Sequence, residues 1–264
     1  MYTMLISADK LLKKIETPDL ILIDSRSYKD YLEGHIPGAV NLDFFHYHWF
    51  DTSNDGIKAY EKQMESILSF LGITNDKTVV FYDEVSGMSS ARGVWTLMYF
   101  SHTNTFMLDG GFKKWKSLGF DTETKTNGFK PQKFSGKINN DVIAGYEYIN
   151  KKIGKIKLLD TRGKDEYDGE KIRAARKGHI PTAINIDWMQ NINDDGTMKS
   201  IEDLAKMYNF SKDDEIVTYC QGGYRAANSF VALKMLGFKN VRVYLGSWGE
   251  WGNKLDLPIE ISKT

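Results

Sequence analysis

The six residues Cys220-Gln221-Gly222-Gly223-Tyr224-Arg225 bring together a thiol, paired glycines and a fixed positive charge. Cys220 is the only cysteine in the chain. It follows the apolar run Ile216, Val217, Tyr219, which reads as a buried strand, and the segment from Ala226 to Leu236 reads as a helix. The loop therefore joins a strand end to a helix start. Successive backbone N–H groups at such a turn form a positively polarised cup that favours an anion. A thiol placed there loses its proton more readily, because the thiolate is the form the cup holds. Free cysteine also serves widely as a small buried hydrophobe. Gly222 and Gly223 favour the reactive role, since they supply backbone freedom that core filling does not need, and Arg225 adds a permanent charge. The residue types point to a sulfur nucleophile.

The elements that position this loop must come from the rest of the chain, whose 264 residues suffice for one large domain or two of ordinary size. Lysine plus arginine and aspartate plus glutamate both number 35, so no overall field steers the protein to nucleic acid or to an acidic membrane. Neither is expected as a partner. One cysteine excludes an intrachain disulfide and any multi-cysteine zinc site, and it suits a reducing compartment. His46 and His48 are the only close histidine pair and sit among Phe44, Phe45, Tyr47, Trp49 and Phe50, so no metal site is expected there. From Met1 to Glu16 no long apolar run follows a basic start, and no stretch of the chain reaches bilayer-spanning length. A cytoplasmic location is the expectation.

The chain repeats itself. Asp24 and Arg26 match Asp160 and Arg162, His35-Ile36-Pro37 matches His179-Ile180-Pro181, and Asn41 and Asp43 match Asn185 and Asp187. Further on, "TVVFYD" and "EIVTYC" each precede a helix, and Trp115 falls opposite Trp251. Each half alternates strand and helix, the pattern of a central, mainly parallel sheet flanked by helices, so the expected fold class is α/β with two tandem domains. The expected domains are 1–124 and 141–264, joined by a linker over 125–140 where Gly128, Pro131 and Gly136 break any periodicity. Strands are expected near Leu20 to Ile23, Ala39 to Asn41, Thr78 to Tyr82 and Thr105 to Leu108. Ligands on open parallel sheets bind beyond the carboxyl ends of the strands, where Cys220 falls. Its counterpart is Asp83, a carboxylate that cannot replace a thiolate in an anion cup. One active site per chain follows, in the second half.

With both "DSR" and "DTR" strand ends, both "HIP" turns, the Cys220 loop and "YLGSWGEW", the two halves resemble tandem rhodanese domains, and the whole chain resembles sulfurtransferases of the thiosulfate or 3-mercaptopyruvate type. The resemblance implies a double displacement. Cys220 would take the outer sulfur of a donor as a persulfide and pass it to a thiophilic acceptor: cyanide, a thiol or a thioredoxin-like protein. No metal or organic cofactor is implied. Gln221, Gly222, Gly223, Tyr224 and Arg225 would form the loop that holds substrate and persulfide, their N–H groups stabilising the developing charge. Ping-pong kinetics should follow from the covalent intermediate. Cysteine phosphatases also pair a cysteine and an arginine around an anion, but their loop is one residue longer than the four residues found here between Cys220 and Arg225.

The donor is less clearly marked. The loop has neither the basic interior residues common in thiosulfate enzymes nor the serine common in mercaptopyruvate enzymes. The interval from Arg162 to Gly178 is eight residues longer than that from Arg26 to Gly34, and it is basic. Arg173 and Arg176 within it are candidate donor-binding residues, set against the ordinary alternative of a solvated loop. Asp43 resembles an aspartate of the mercaptopyruvate branch, but "HYHWFDTSNDG" replaces the accompanying histidine region, so no catalytic role is assigned to it. Asp24, Asp160, Arg26, Arg162, His35 and His179 recur in both halves and are expected to be structural, and Trp248 and Trp251 are expected to pack. A persulfide carrier for thiolation or iron–sulfur assembly would use the same residues. A catalytically silent interaction module would not retain Cys220.

Overall fold

The computed structural model describes residues 4–262, so residues 1–3 and 263–264 of the expected domains lie outside the described residues. The first half runs β1 (Leu5–Ile6), α1 (Ala8–Leu12), β2 (Leu20–Asp24), α2 (Tyr28–Glu33), β3 (Val40–Asn41), α3 (Asn54–Phe70), β4 (Thr78–Tyr82), α4 (Met88–Tyr99), β5 (Thr105–Leu108) and α5 (Gly111–Ser117). All pairings in its sheet are parallel, in the order β1-β5-β4-β2-β3. Every residue of β4 is buried, as a central strand covered on both faces requires. β4 and β5 occupy the residues expected from the sequence. β1 has only two residues and pairs with β5 at the sheet edge, too short for any periodicity to reveal it.

The second half repeats the plan with β6 (Ile143–Ala144), α6 (Tyr146–Lys152), β7 (Lys157–Asp160), α7 (Lys164–Tyr167), β8 (Ile184–Asn185), α8 (Ile201–Met207), β9 (Ile216–Tyr219), α9 (Tyr224–Met235), β10 (Val241–Tyr244) and α10 (Ser247–Trp251). Its parallel sheet has the corresponding order, β6-β10-β9-β7-β8. Val217, Tyr219, Tyr244, Trp248 and Trp251 lie in its core. The indole N–H of Trp251 donates to the Pro258 carbonyl at 2.8 Å, and its repeat counterpart Trp115 donates to the Asp121 carbonyl at 2.8 Å.

The compact units do not follow the linear halves. One comprises Met1–Tyr47, Glu61–Asn139 and Ile192–Lys199, and the other His48–Tyr60, Asn140–Asn191 and Ser200–Thr264. Each includes a short segment that the contiguous division 1–124 and 141–264 would give to the other. Buried hydrogen bonding gives a reason for the first exchange: the Glu250 carboxylate accepts the Thr52 N–H at 2.8 Å and the Thr52 hydroxyl at 2.6 Å. In the other unit, the Gly196 carbonyl accepts the Ser86 N–H at 2.8 Å.

Between α5 and Asn140 the described chain has no helix, and its one regular pairing is an isolated bridge from Glu123 to His35. The stretch is nevertheless tied down, with the Asn127 amide on the Ala39 carbonyl at 2.9 Å and Phe134 buried. Among the described residues, no helix is long and apolar enough to cross a membrane.

Candidate functional site

The two repeated strand ends are built alike. In the second unit the Arg162 side chain folds back on Asp160, donating from Nε at 3.0 Å and from Nη2 at 2.6 Å, and Nη2 also reaches the Gly178 carbonyl at 2.8 Å. In the first, Arg26 makes the corresponding bonds to Asp24 at 3.0 and 2.6 Å and to the Gly34 carbonyl at 2.7 Å. His179 and His35 each stack on a tyrosine, Tyr167 and Tyr31, with ring centroids 3.7 Å apart. Each repeated arginine joins a buried strand-end aspartate to a glycine carbonyl just ahead of the His-Ile-Pro turn. These groups brace strand ends and turns.

Cys220 follows β9 and is 1% exposed. Burial among aliphatic groups would make such a thiol inert, so its polar neighbours decide its character. Sγ accepts the Gly223 N–H at 3.1 Å. Gly223 has a φ of +85° and is the N-cap of α9, so a left-handed residue turns the chain into the helix. The helix therefore begins at Tyr224, two residues earlier than expected, and Arg225 lies in its first turn rather than at the end of a longer loop. The first turn of α10 braces the loop. The Cys220 N–H donates to the Ser247 hydroxyl at 3.1 Å, which itself donates to the Tyr244 carbonyl at 2.8 Å. Trp248 and Gly249 donate N–H groups to the Cys220 and Gln221 carbonyls, both at 2.9 Å. Ser247 reaches this position with a φ of +52°, a left-handed backbone uncommon outside glycine.

Gly222 is needed for close approach. A Cβ there would stand 2.8 Å from His48 Cδ2 and 3.4 Å from Phe50 Cε1. The His48 ring also meets Tyr224, with centroids 4.8 Å apart. His48 and Phe50 thus wall the cysteine loop within the second unit. His46 has a different neighbour, Asp43 at 3.4 Å, and Asp43 accepts the Phe45 N–H at 2.9 Å at the start of a short 3-10 turn.

The arginines separate. Arg225 places both terminal nitrogens on the carboxylate of Glu166, at 2.5 and 3.1 Å. Burial alone would lower the basicity of Arg225, but bonding to Glu166 and the negative potential of Cys220 and Glu166 outweigh it and hold the guanidinium above its ordinary value. Glu166 is 3% exposed. Burial alone would raise its carboxyl, yet its bonds to Arg225 and the charges of Arg225, Arg173 and Arg162 leave it below the usual range. Arg173 Nε lies 3.3 Å from Glu166, and its backbone carbonyl accepts the Gln221 amide at 3.0 Å. Gln221 Oε1 is buried without a partner. Arg176 points elsewhere: its guanidinium bonds to the carbonyls of Trp251, Gly252, Lys254, Leu255 and Leu257, tying down the C-terminal end of α10 and the residues beyond.

At the matching strand end of the first unit, Asp83 accepts the N–H groups of Glu84 at 2.8 Å and Ser89 at 3.1 Å. Its own carboxylate thus fills the place that an anion or a thiolate would take. The two strand ends, one carrying sulfur and one a carboxylate, lie in two stretches, residues 7–118 and 146–254, that each match the rhodanese-like domain family.

The chain belongs to the rhodanese family. It is 34% identical over 274 residues to the sulfur carrier protein TtuD of Thermus thermophilus, covering 97% of this chain and 95% of that one. It is 31% identical to a thiosulfate sulfurtransferase of Pseudomonas aeruginosa, over 98% and 97% of the two chains. Among solved structures it is similar to SseA from Escherichia coli, described as a 3-mercaptopyruvate sulfotransferase, with a TM-score of 0.78, 26% identity, and 93% and 99% coverage. The fold is the tandem rhodanese fold and the enzyme is a sulfurtransferase.

Sequence reasoning missed Glu166, Ser247, His48 and Phe50. The repeat carried one usable signal. Asp30 occupies the place of Glu166, and counting from the helix caps Gly87 and Gly223 puts Ser89 in that of Arg225, so acid and arginine change together where the cysteine appears.

Proposed function

We propose that this sulfurtransferase moves a sulfane sulfur from thiosulfate to cyanide or a thiol through a persulfide on Cys220. The observation that carries the reading is the Gly223 N–H donated to Sγ at 3.1 Å at the N-terminus of α9. A donor N–H and a helix N-terminus aim positive partial charge at the sulfur. In the first step the Cys220 thiolate attacks the outer sulfur of thiosulfate, the S–S bond breaks, and sulfite leaves with the bonding electron pair. The acceptor then attacks the terminal sulfur of the persulfide, and Cys220 departs as thiolate. No net oxidant or reductant is needed, and each half-reaction displaces one anion by another. The persulfide anion replaces the thiolate beside the Gly223 N–H at the start of α9, so that end of the loop faces both resting forms and the charge that develops between them.

Arg173 is the donor-binding residue in this reading, because it is half-exposed and keeps guanidinium nitrogens beyond its one contact with Glu166. Arg176 serves the fold. Mercaptopyruvate is the second donor to consider, supported by the likeness to SseA. A carrier role, in which the acceptor is a protein such as a thioredoxin-like partner, is supported by the likeness to TtuD. The single cysteine and balanced charge favour a cytoplasmic setting with neither membrane nor nucleic acid as partner. Thiocyanate formation from cyanide, measured with thiosulfate and with 3-mercaptopyruvate in parallel, tests the reading. Native protein should turn over thiosulfate faster and Cys220→Ser should turn over neither; faster use of mercaptopyruvate would replace the donor, and turnover by the variant would remove the persulfide step.

A further inference from the structure

We infer that Glu166 is a specificity-determining residue that sets how much positive charge the sulfur site offers to a donor anion. This rests on the reading of Cys220 as the sulfur acceptor. Two guanidiniums, those of Arg225 and Arg173, share the single carboxylate of Glu166. The neighbouring Asp160 and Arg162 pair with each other and cancel. Arg225 and Arg173 against Glu166 leave one unit of positive charge to set against the Cys220 thiolate and an incoming donor, and its location follows from the geometry. Arg225 is engaged through two parallel hydrogen bonds on a carboxylate that water barely reaches. Arg173 has one longer contact and a side chain 47% exposed, so the uncompensated charge lies there.

The repeat provides an internal control. Asp30, at the position of Glu166, is exposed and receives the Ser27 hydroxyl at 2.6 Å. Counted from the helix caps Gly87 and Gly223, Ser89 stands where Arg225 would be, and at the strand end Asp83 stands where Cys220 would be. The buried acid–arginine pair is present at the strand end with the thiol and replaced at the strand end without it. Bracing a strand end does not require the pair, since the Asp24 and Arg26 arrangement does that in both repeats.

Glu166 therefore consumes an arginine charge that a dianion would otherwise use. Replacing it with glutamine keeps a hydrogen-bonding acceptor beside Arg225 but returns that charge to the site. A dianion then gains more than a monoanion, by roughly tenfold for one extra charge held a few ångströms away in a partly solvated pocket. The direct measurement is competitive inhibition of thiosulfate turnover by sulfate and by formate, in native protein, Glu166→Gln and Glu166→Asp. In Glu166→Gln the preference for sulfate over formate should rise roughly tenfold, while Glu166→Asp should keep the native preference even where turnover falls. An unchanged or reduced sulfate preference in Glu166→Gln would show that Glu166 only holds Arg225 in place and would overturn the inference. Should Glu166→Gln not fold, Arg173→Gln gives the opposite reading: removing the more exposed of the two cations should lower the sulfate preference, and no change would again refute the charge assignment. Sulfur loading of Cys220, followed by intact mass on the same native sample, keeps the two levels apart. Failure to load would refute the underlying site, whereas loading with an unchanged anion preference refutes the role of Glu166 alone.

Discussion

Replacing Asp83 with asparagine should flatten the pH dependence of stability in the first unit. Burial, the largest influence, raises this carboxyl from 3.8 to about 6, and the charge of Asp24 pushes it the same way against the N–H groups of Glu84 and Ser89. At about 1.4 kcal/mol per pKa unit the shift corresponds to a ceiling of about 3 kcal/mol, and contact with solvent reduces the expected effect to about 1–2 kcal/mol. The sign is fixed by where the proton binds more tightly. The folded state holds it more tightly than the unfolded chain, so the native protein is free of the ionisation penalty below about pH 4, loses stability up to about pH 6, and stays level above that. Asparagine carries no such slope, although it gives up one of the two carboxylate acceptors, a loss of about 1 kcal/mol at every pH. The difference in stability between variant and native should therefore move in favour of the variant by about 1–2 kcal/mol from pH 4 to pH 7. Urea titrations read by hydrogen exchange in β4 and α4 report on this unit without assuming that the whole chain unfolds in one step. Parallel pH profiles for native and Asp83→Asn would refute the reasoning.

Two other substitutions separate structure from chemistry. Arg176→Ala should lower stability by about 2–3 kcal/mol, since it strips five carbonyls of a charged donor, while leaving the Michaelis constant for the sulfur donor unchanged. Arg173→Ala should do the reverse, raising that constant with little effect on unfolding. Gly222→Ala should reduce kcat/KM by roughly tenfold by pressing a methyl against His48 and Phe50, and His48→Ala in the same chain should restore part of the loss. Steady-state kinetics and thermal unfolding on the same preparations check all three.

Much of the framework is visible in the residues alone because it depends on local pattern. The short apolar run Thr78 to Tyr82, rich in β-branched and aromatic residues, reads as a strand covered on both faces, and the second copy at Ile216 to Tyr219 has the same environment. Paired Asp–Arg and His–Ile–Pro signals fix where strands end. Other features depend on distant partners. Glu166 and Arg225 are 59 residues apart, so no spacing rule connects them. His48 and Phe50 reach the cysteine loop from the other half of the sequence, which an alternation of strands and helices cannot foresee. The early start of α9 comes from the left-handed backbone at Gly223, a property of one residue that the helical periodicity beyond Ala226 does not register. Arg176 resembles Arg173 in sequence, and only the run of carbonyls after α10 tells them apart.

Accessibility and reactivity of the Cys220 sulfur are the central claim, because the thiol is buried yet bonded to a backbone N–H. Intact mass after incubation with thiosulfate and gel filtration tests it most directly. Native protein should gain one sulfur atom that cyanide then removes as thiocyanate, and prior alkylation at Cys220 should prevent the gain. A native chain that stays at its starting mass, or an alkylated chain that still acquires sulfur, would contradict the account.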